Sequence, residues 1–114
     1  MLAKRFRLRK SDIDLLFRHG HTPMKTPIVI RIRSTEQPLS RFCILFGKNV
    51  KAENVEKNRI RRQLYAQVRK RLGHLKTHKD YGMIVTPKLL SLPRKTRMKW
   101  VEKTLDIIEK NLNY

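Results

Sequence analysis

The apolar residues of this chain change period partway along it, and that change limits which elements it can build. Ile28, Ile30 and Ile32 alternate with Val29, Arg31 and Arg33, the two-residue period of a strand with one apolar face. Phe42, Ile44 and Phe46 repeat the pattern within Arg41-Phe42-Cys43-Ile44-Leu45-Phe46, after a polar break from Ser34 to Ser40. The two segments fit a half-buried antiparallel pair. From Glu53 to Leu72 the period becomes helical: Ile60, Leu64, Val68 and Leu72 form a stripe to be buried, with Gly73 expected to end the helix.

Weaker signals fill in the rest. Ser11-Asp12-Ile13-Asp14 has the form of a capping box, with Ser11 accepting from an orphan N–H and Asp14 favouring the positive helix end. Ile13, Leu16 and Phe17 follow at helical spacing and Gly20 stands at a stop, so a first helix is expected over about 11–19. A strand is expected from Tyr81 to Thr86, closed by Pro87. After Pro93, Val101, Leu105, Ile108 and Leu112 mark a last helix, with Trp100 read as core. No repeat or linker divides residues 1–114, and the order predicts a single α+β domain around one sheet.

Charge narrows the function. The chain carries 28 Lys and Arg against 9 Asp and Glu, a formal net charge of +19. Self-repulsion on that scale opposes compaction, and a polyanionic partner relieves it. A hydrophobic content of 39% argues against a basic disordered tail. No apolar run approaches the roughly 20 residues of a spanning helix, so no membrane partner is expected. Met1 to Phe6 lacks a secretory apolar stretch, and the single cysteine, Cys43, suits a reducing compartment. Together these favour nucleic acid as partner and a cytoplasmic location.

The charge is densest where the helical period is clearest. Lys57, Arg59, Arg61, Arg62, Arg69, Lys70 and Arg71 fall in one segment without an acid. Like charges three and four apart weaken a helix by a few tenths of a kcal/mol per pair, and a phosphate backbone is the natural counter-charge. Asn58, Arg61, Arg62 and Tyr65 occupy neighbouring helical positions, and Lys48 extends the patch. Arginine forks match phosphate oxygens, while an asparagine suits a base edge or a 2′-hydroxyl. A merely solvated face is the plainer reading, and the acid-free density of cations weighs against it. Catalysis by the protein itself is not expected. His19, His21, His74 and His78 are paired only locally, no acidic cluster or third ligand offers a metal site, and Cys43 reads as a small apolar strand residue.

Lys57-Asn58-Arg59-Ile60-Arg61-Arg62 resembles the RNR signature of the bacterial ribonuclease P protein family, with lysine at the first arginine. Arg7-Leu8-Arg9-Lys10-Ser11-Asp12 with Phe17-Arg18-His19-Gly20 is similar to the family's N-terminal stretch. Gly47-Lys48-Asn49-Val50 takes the place of its Ser-Lys-Lys-Val, and Asp80 to Val85 that of its last strand. The resemblance implies one mostly antiparallel four-stranded sheet with three helices in the order α-β-β-β-α-β-α. The RNR helix would lie in a left-handed β-α-β crossover.

The resemblance also implies a division of labour. The catalytic RNA performs the hydrolysis with Mg²⁺ bound mainly by RNA, and no metal is held tightly by the protein. Lys57, Asn58, Arg59, Arg61 and Arg62 carry over to the contact with that RNA, which the basic patch read from the residues extends to Lys48 and Tyr65. The protein holds the 5′ leader of precursor tRNA with Phe17, Arg31 and Arg33, as a monomer in a 1:1 ribonucleoprotein. Ile13 and Arg31 replace frequent aromatics, Gly47 a serine and Ala66 an acid. Charge thus replaces part of a stacking platform, which predicts more salt-sensitive leader binding. Phe17 is equally placed for a core role, and Arg31 and Arg33 for an ordinary charged sheet face. A structural RNA-binding protein, such as a ribosomal protein or RNA chaperone, shares the composition but not the ordered motifs. A DNA-compacting protein is a third reading.

Overall fold

In the computed structural model, residues 4–24, 27–75 and 77–110 are described. The elements are α1 (Lys10–His19), β1 (His21–Met24), β2 (Ile28–Ser34), β3 (Arg41–Phe46), α2 (Asn54–Arg71), β4 (Lys79–Val85), α3 (Pro87–Leu90) and α4 (Arg94–Lys110). Single 3-10 turns lie at Lys4–Phe6 and Leu72–His74. The strands form one sheet in the order β1-β2-β4-β3. β4 runs antiparallel to β2, with Met83 opposite Ile30, and parallel to β3, with Met83 opposite Ile44.

The sheet is therefore mixed, and the expected antiparallel pairing of 28–33 with 41–46 does not occur. β4 lies between them. Alternation reports that a strand has one apolar face, but says nothing of which strand lies beside it. The central position of β4 explains its own pattern: covered on both faces, it reads as a run rather than an alternation. A parallel β3–β4 pair needs a long crossover, which the 18-residue α2 supplies.

On one face of the sheet, Ile28, Ile30 and Ile32 of β2, Ile44 of β3 and Met83 and Val85 of β4 form the core floor. Ile60, Leu64 and Val68 of α2 and Val101, Leu105 and Ile108 of α4 complete it. Phe42 and Tyr81, opposite each other across β3 and β4, stack with ring centroids 5.1 Å apart. Burial of each such side chain contributes about 1.5–3 kcal/mol of transfer free energy. Leu72 has passed into the 3-10 turn and is only partly buried, so α2 ends before Gly73. Leu112, expected to continue the α4 stripe, lies outside the described residues. Arg71 joins the two helices by ion pairs to Asp106 and Glu109.

The opposite face carries α1, held by one fully buried side chain, Leu16. Leu16 fits over Gly82 in β4, where a Cβ would stand 2.7 Å from its Cδ2 atom. Gly20 is needed for a similar reason. Its backbone is extended, not left-handed, and a Cβ there would approach the Leu16 carbonyl oxygen to 2.4 Å. The start of α1 also differs from expectation. Arg9, not Ser11, is the N-cap residue, and Asp12, not Asp14, accepts from the Arg9 backbone N–H at 3.2 Å. Asp12 is the acid at the third helical position, the one from which a carboxylate can reach back to the cap.

Candidate nucleic-acid interface

The core stripe of α2 fixes which of its residues face outward. With Ile60, Leu64 and Val68 buried, Asn58, Arg59 and Arg62 are exposed on the other side. Arg59, Arg62 and the exposed Lys48 have no hydrogen-bond or ion-pair partner among the described residues. Lys57 and Arg61 are half-buried against Phe46 at the end of β3, their cationic groups 5.7 and 5.1 Å from its ring centroid. Arg61 also donates to the Asn58 side-chain oxygen at 3.1 Å. Phe46 and Asn58 thus hold two long side chains that would otherwise lose more conformational freedom on binding. Glu53 and Glu56 lie at the N-terminal end of α2, where acids suit the helix dipole, and leave the rest of this face cationic.

Tyr65 does not belong to that outward face. It is 6% exposed, and its hydroxyl accepts the Ile44 backbone N–H at 3.2 Å. β3 is an edge strand, so this bond satisfies a donor that no neighbouring strand takes. Burial raises the Tyr65 pKa, with the charges of Arg61 and Arg7 opposing part of that rise.

The second predicted group lies on the α1 side of the sheet. Phe17 is 42% exposed, which resolves its position in favour of the surface rather than the core. The Arg31 guanidinium lies 6.0 Å from its ring centroid. Arg31 donates to the Leu16 carbonyl at 3.0 Å, the Phe17 carbonyl at 2.6 Å and the Thr22 hydroxyl at 2.8 Å. It therefore closes the last turn of α1, adding a second donor to the Leu16 carbonyl, which already takes the Gly20 N–H, at the helix end where a cation is favoured. Its acceptors are all neutral, so its positive charge stays uncompensated locally.

Arg33 differs. It pairs with Asp80 at 2.8 Å, and Arg41 pairs with the same carboxylate at 2.9 Å. Arg41 reaches Asp12 of α1 as well, at 3.3 Å. Asp80 is fully buried, and its strand neighbours in register are Arg33 on one side and Arg41 on the other. Burial acts to lower the Arg41 pKa, but Asp80 and Asp12 together outweigh it and leave the value raised. Two arginines and two aspartates balance, so Arg33 offers far less field to a ligand than Arg31 does. Sequence reasoning missed Arg41 and Asp80 as a pair. The available signal was a lone acid opening an otherwise apolar strand, but its partners depend on strand order.

Among the described residues, no group of three or more His, Cys, Asp or Glu could hold a metal ion. No helix among them is long and apolar enough to cross a membrane. Cys43 is buried, and burial, then the field of Asp80, push its thiol up to about 12.

Comparison with known proteins bears on this arrangement. No curated protein sequence is significantly similar to the chain. Among solved structures, the RNase P protein of Thermotoga maritima is 24% identical with a TM-score of 0.75, over 91% of this chain and 96% of that one. A Staphylococcus aureus RNase P protein is 19% identical with a TM-score of 0.78, over 90% of this chain and 94% of that one. At these identities the likeness establishes the fold. The family model described as Ribonuclease P matches residues 2–109, nearly the whole chain, and on that match the chain belongs to the ribonuclease P protein family.

Proposed function

We propose that the chain is the protein subunit that binds the catalytic RNA of ribonuclease P and the 5′ leader of precursor tRNA, promoting removal of the leader. The observation that carries this reading is the outward face of α2, where Arg59 and Arg62 stand without acidic partners in a chain matched over residues 2–109 by the Ribonuclease P model. A face of that kind recognises the regular phosphates of a folded RNA, with Asn58 available to a base edge or 2′-hydroxyl. Lys48, Lys57 and Arg61 extend it. Tyr65 contributes only by holding β3 against the helix.

The leader is assigned to the α1 side. The Phe17 ring offers a stacking surface and the uncompensated charge of Arg31 a phosphate partner. Arg33 acts there mainly through its pair with Asp80. The hydrolysis and the Mg²⁺ it requires belong to the RNA in this reading, which also carries a 1:1 assembly in the cytoplasm. The experiment is binding of a bacterial ribonuclease P RNA across a salt series. Arg59→Ala combined with Arg62→Ala is expected to weaken binding and lower the slope of log K against log salt by about 2, since each lost phosphate contact removes roughly 0.9. An unchanged affinity and slope would remove α2 from the interface.

A further inference from the structure

A basic cleft of about 490 Å³ lies where the N-terminal segment passes the start of β3, lined by Lys4, Arg5, Arg7, Arg9, Asp12 and Arg41. Arg41 and Asp12 neutralise one another within the Asp80 cluster. Lys4, Arg5, Arg7 and Arg9 are exposed and have no acidic partner among the described residues. Ser11 and Gln37 add neutral hydrogen-bonding groups to the wall. A concave site with this excess of positive charge, and guanidinium forks predominating, suits phosphodiester oxygens.

The segment is built into the fold and is no loose arm. Phe6 packs against the core, Arg7 bridges Phe42 in parallel fashion, and the Leu8 N–H donates to the Phe42 carbonyl at 3.2 Å. It therefore lies along the outer edge of β3, the same edge on which the Tyr65 hydroxyl takes the Ile44 N–H. The segment takes that edge at Phe42 and Tyr65 of α2 takes it at Ile44, two residues on, so the cleft and α2 adjoin along β3. Phe17 and Arg31, in contrast, sit at the far, C-terminal end of α1.

From this continuity we infer that the N-terminal cleft is a second seat for the phosphate backbone of the same catalytic RNA that α2 engages. The inference rests on the proposed function of α2 and adds an independent set of contacts to it. The test uses the full chain and a bacterial ribonuclease P RNA, in binding titrations across a salt series. Three proteins are compared: Arg5→Ala/Arg7→Ala/Arg9→Ala, the matching triple lysine variant, and Arg59→Ala/Arg62→Ala. The triple alanine variant is expected to lose about 2 to 3 from the salt slope and roughly ten- to a hundred-fold in affinity at moderate salt. The lysine variant keeps the charge and should retain most of the slope. Loss in the α2 variant with no change in the triple alanine variant overturns the cleft while leaving α2 in place. No change in either removes both. Normal RNA affinity with reduced preference for leader-bearing tRNA, measured in the assembled complex, overturns the assignment to the catalytic RNA in favour of the leader.

Discussion

Arg41 faces Asp80 across the parallel pairing of β3 with β4 and donates to both of its carboxylate oxygens, at 2.9 and 3.0 Å. Arg33 approaches the same carboxylate from β2, and Arg41 continues to Asp12. One buried acid thus ties the two strands flanking β4 to each other and to α1. Replacing Asp80 by Asn leaves two guanidinium groups facing a neutral amide at a dry site. Breaking a buried ion pair from one side costs about 3–5 kcal/mol, and urea denaturation should show a loss in that range. A loss below about 1 kcal/mol would mean the network does not hold α1 in place.

Leu16 and Phe17 are adjacent, yet point to opposite environments. Leu16→Ala opens a cavity over Gly82 and should destabilise the fold by about 2–5 kcal/mol. Phe17→Ala should alter stability by less than about 0.5 kcal/mol, but weaken leader-dependent substrate binding by about 1–3 kcal/mol through lost stacking. Equal stability losses in the two variants would place Phe17 in the core and end its assignment to the leader.

Arg31 donates to two carbonyls in the last turns of α1, those of Leu16 and Phe17, and to the Thr22 hydroxyl in β1. Arg31→Ala should cost about 1–3 kcal/mol, as expected when bonds to a charged donor are removed. Native-state hydrogen exchange localises the effect. The Gly20 amide, which donates to the Leu16 carbonyl at 2.9 Å, should exchange faster while the amides of α2 keep their protection. Uniform acceleration across the chain would contradict a local capping role.

The Cys43 thiol, pushed up to about 12 by burial, gives a pH dependence of known sign. The unfolded chain releases this proton near the ordinary value of 9.0 and the folded one does not, so stability is full below about pH 9 and falls as pH rises toward 12. Cys43→Val should flatten part of the alkaline decline in a thermal unfolding series. In the native wild-type protein at pH 8, alkylation should track global unfolding. Rapid native labelling would place the thiol at the surface.

The elements legible in the sequence were those whose signal is local. The isoleucines of β2 and the stripe of Ile60, Leu64 and Val68, spaced four apart, each lie within one element, and each is buried. The outward placement of Arg59 and Arg62 follows directly from that stripe. Strand order was not legible, because the same alternation in β2 and β3 suits either neighbour. What depends on order was hidden with it: the two arginines on Asp80 and the edge donor that draws Tyr65 inward, while the parallel pairing came only with the β-α-β crossover that the family resemblance implies. One feature was readable and overlooked. Thr86 before Pro87 is a helix-start signature, and the Thr86 side chain does accept the Leu89 N–H to cap α3.

Whether this chain assists an RNA to process precursor tRNA is decided by cleavage of a 5′-labelled precursor tRNA at low Mg²⁺. Protein alone, a bacterial ribonuclease P RNA alone, both together and neither are compared. Cleavage at the mature 5′ end is expected only when protein and RNA are both present. No enhancement of properly folded RNA by the protein would contradict this expectation, and cleavage by the protein alone would overturn the division of labour.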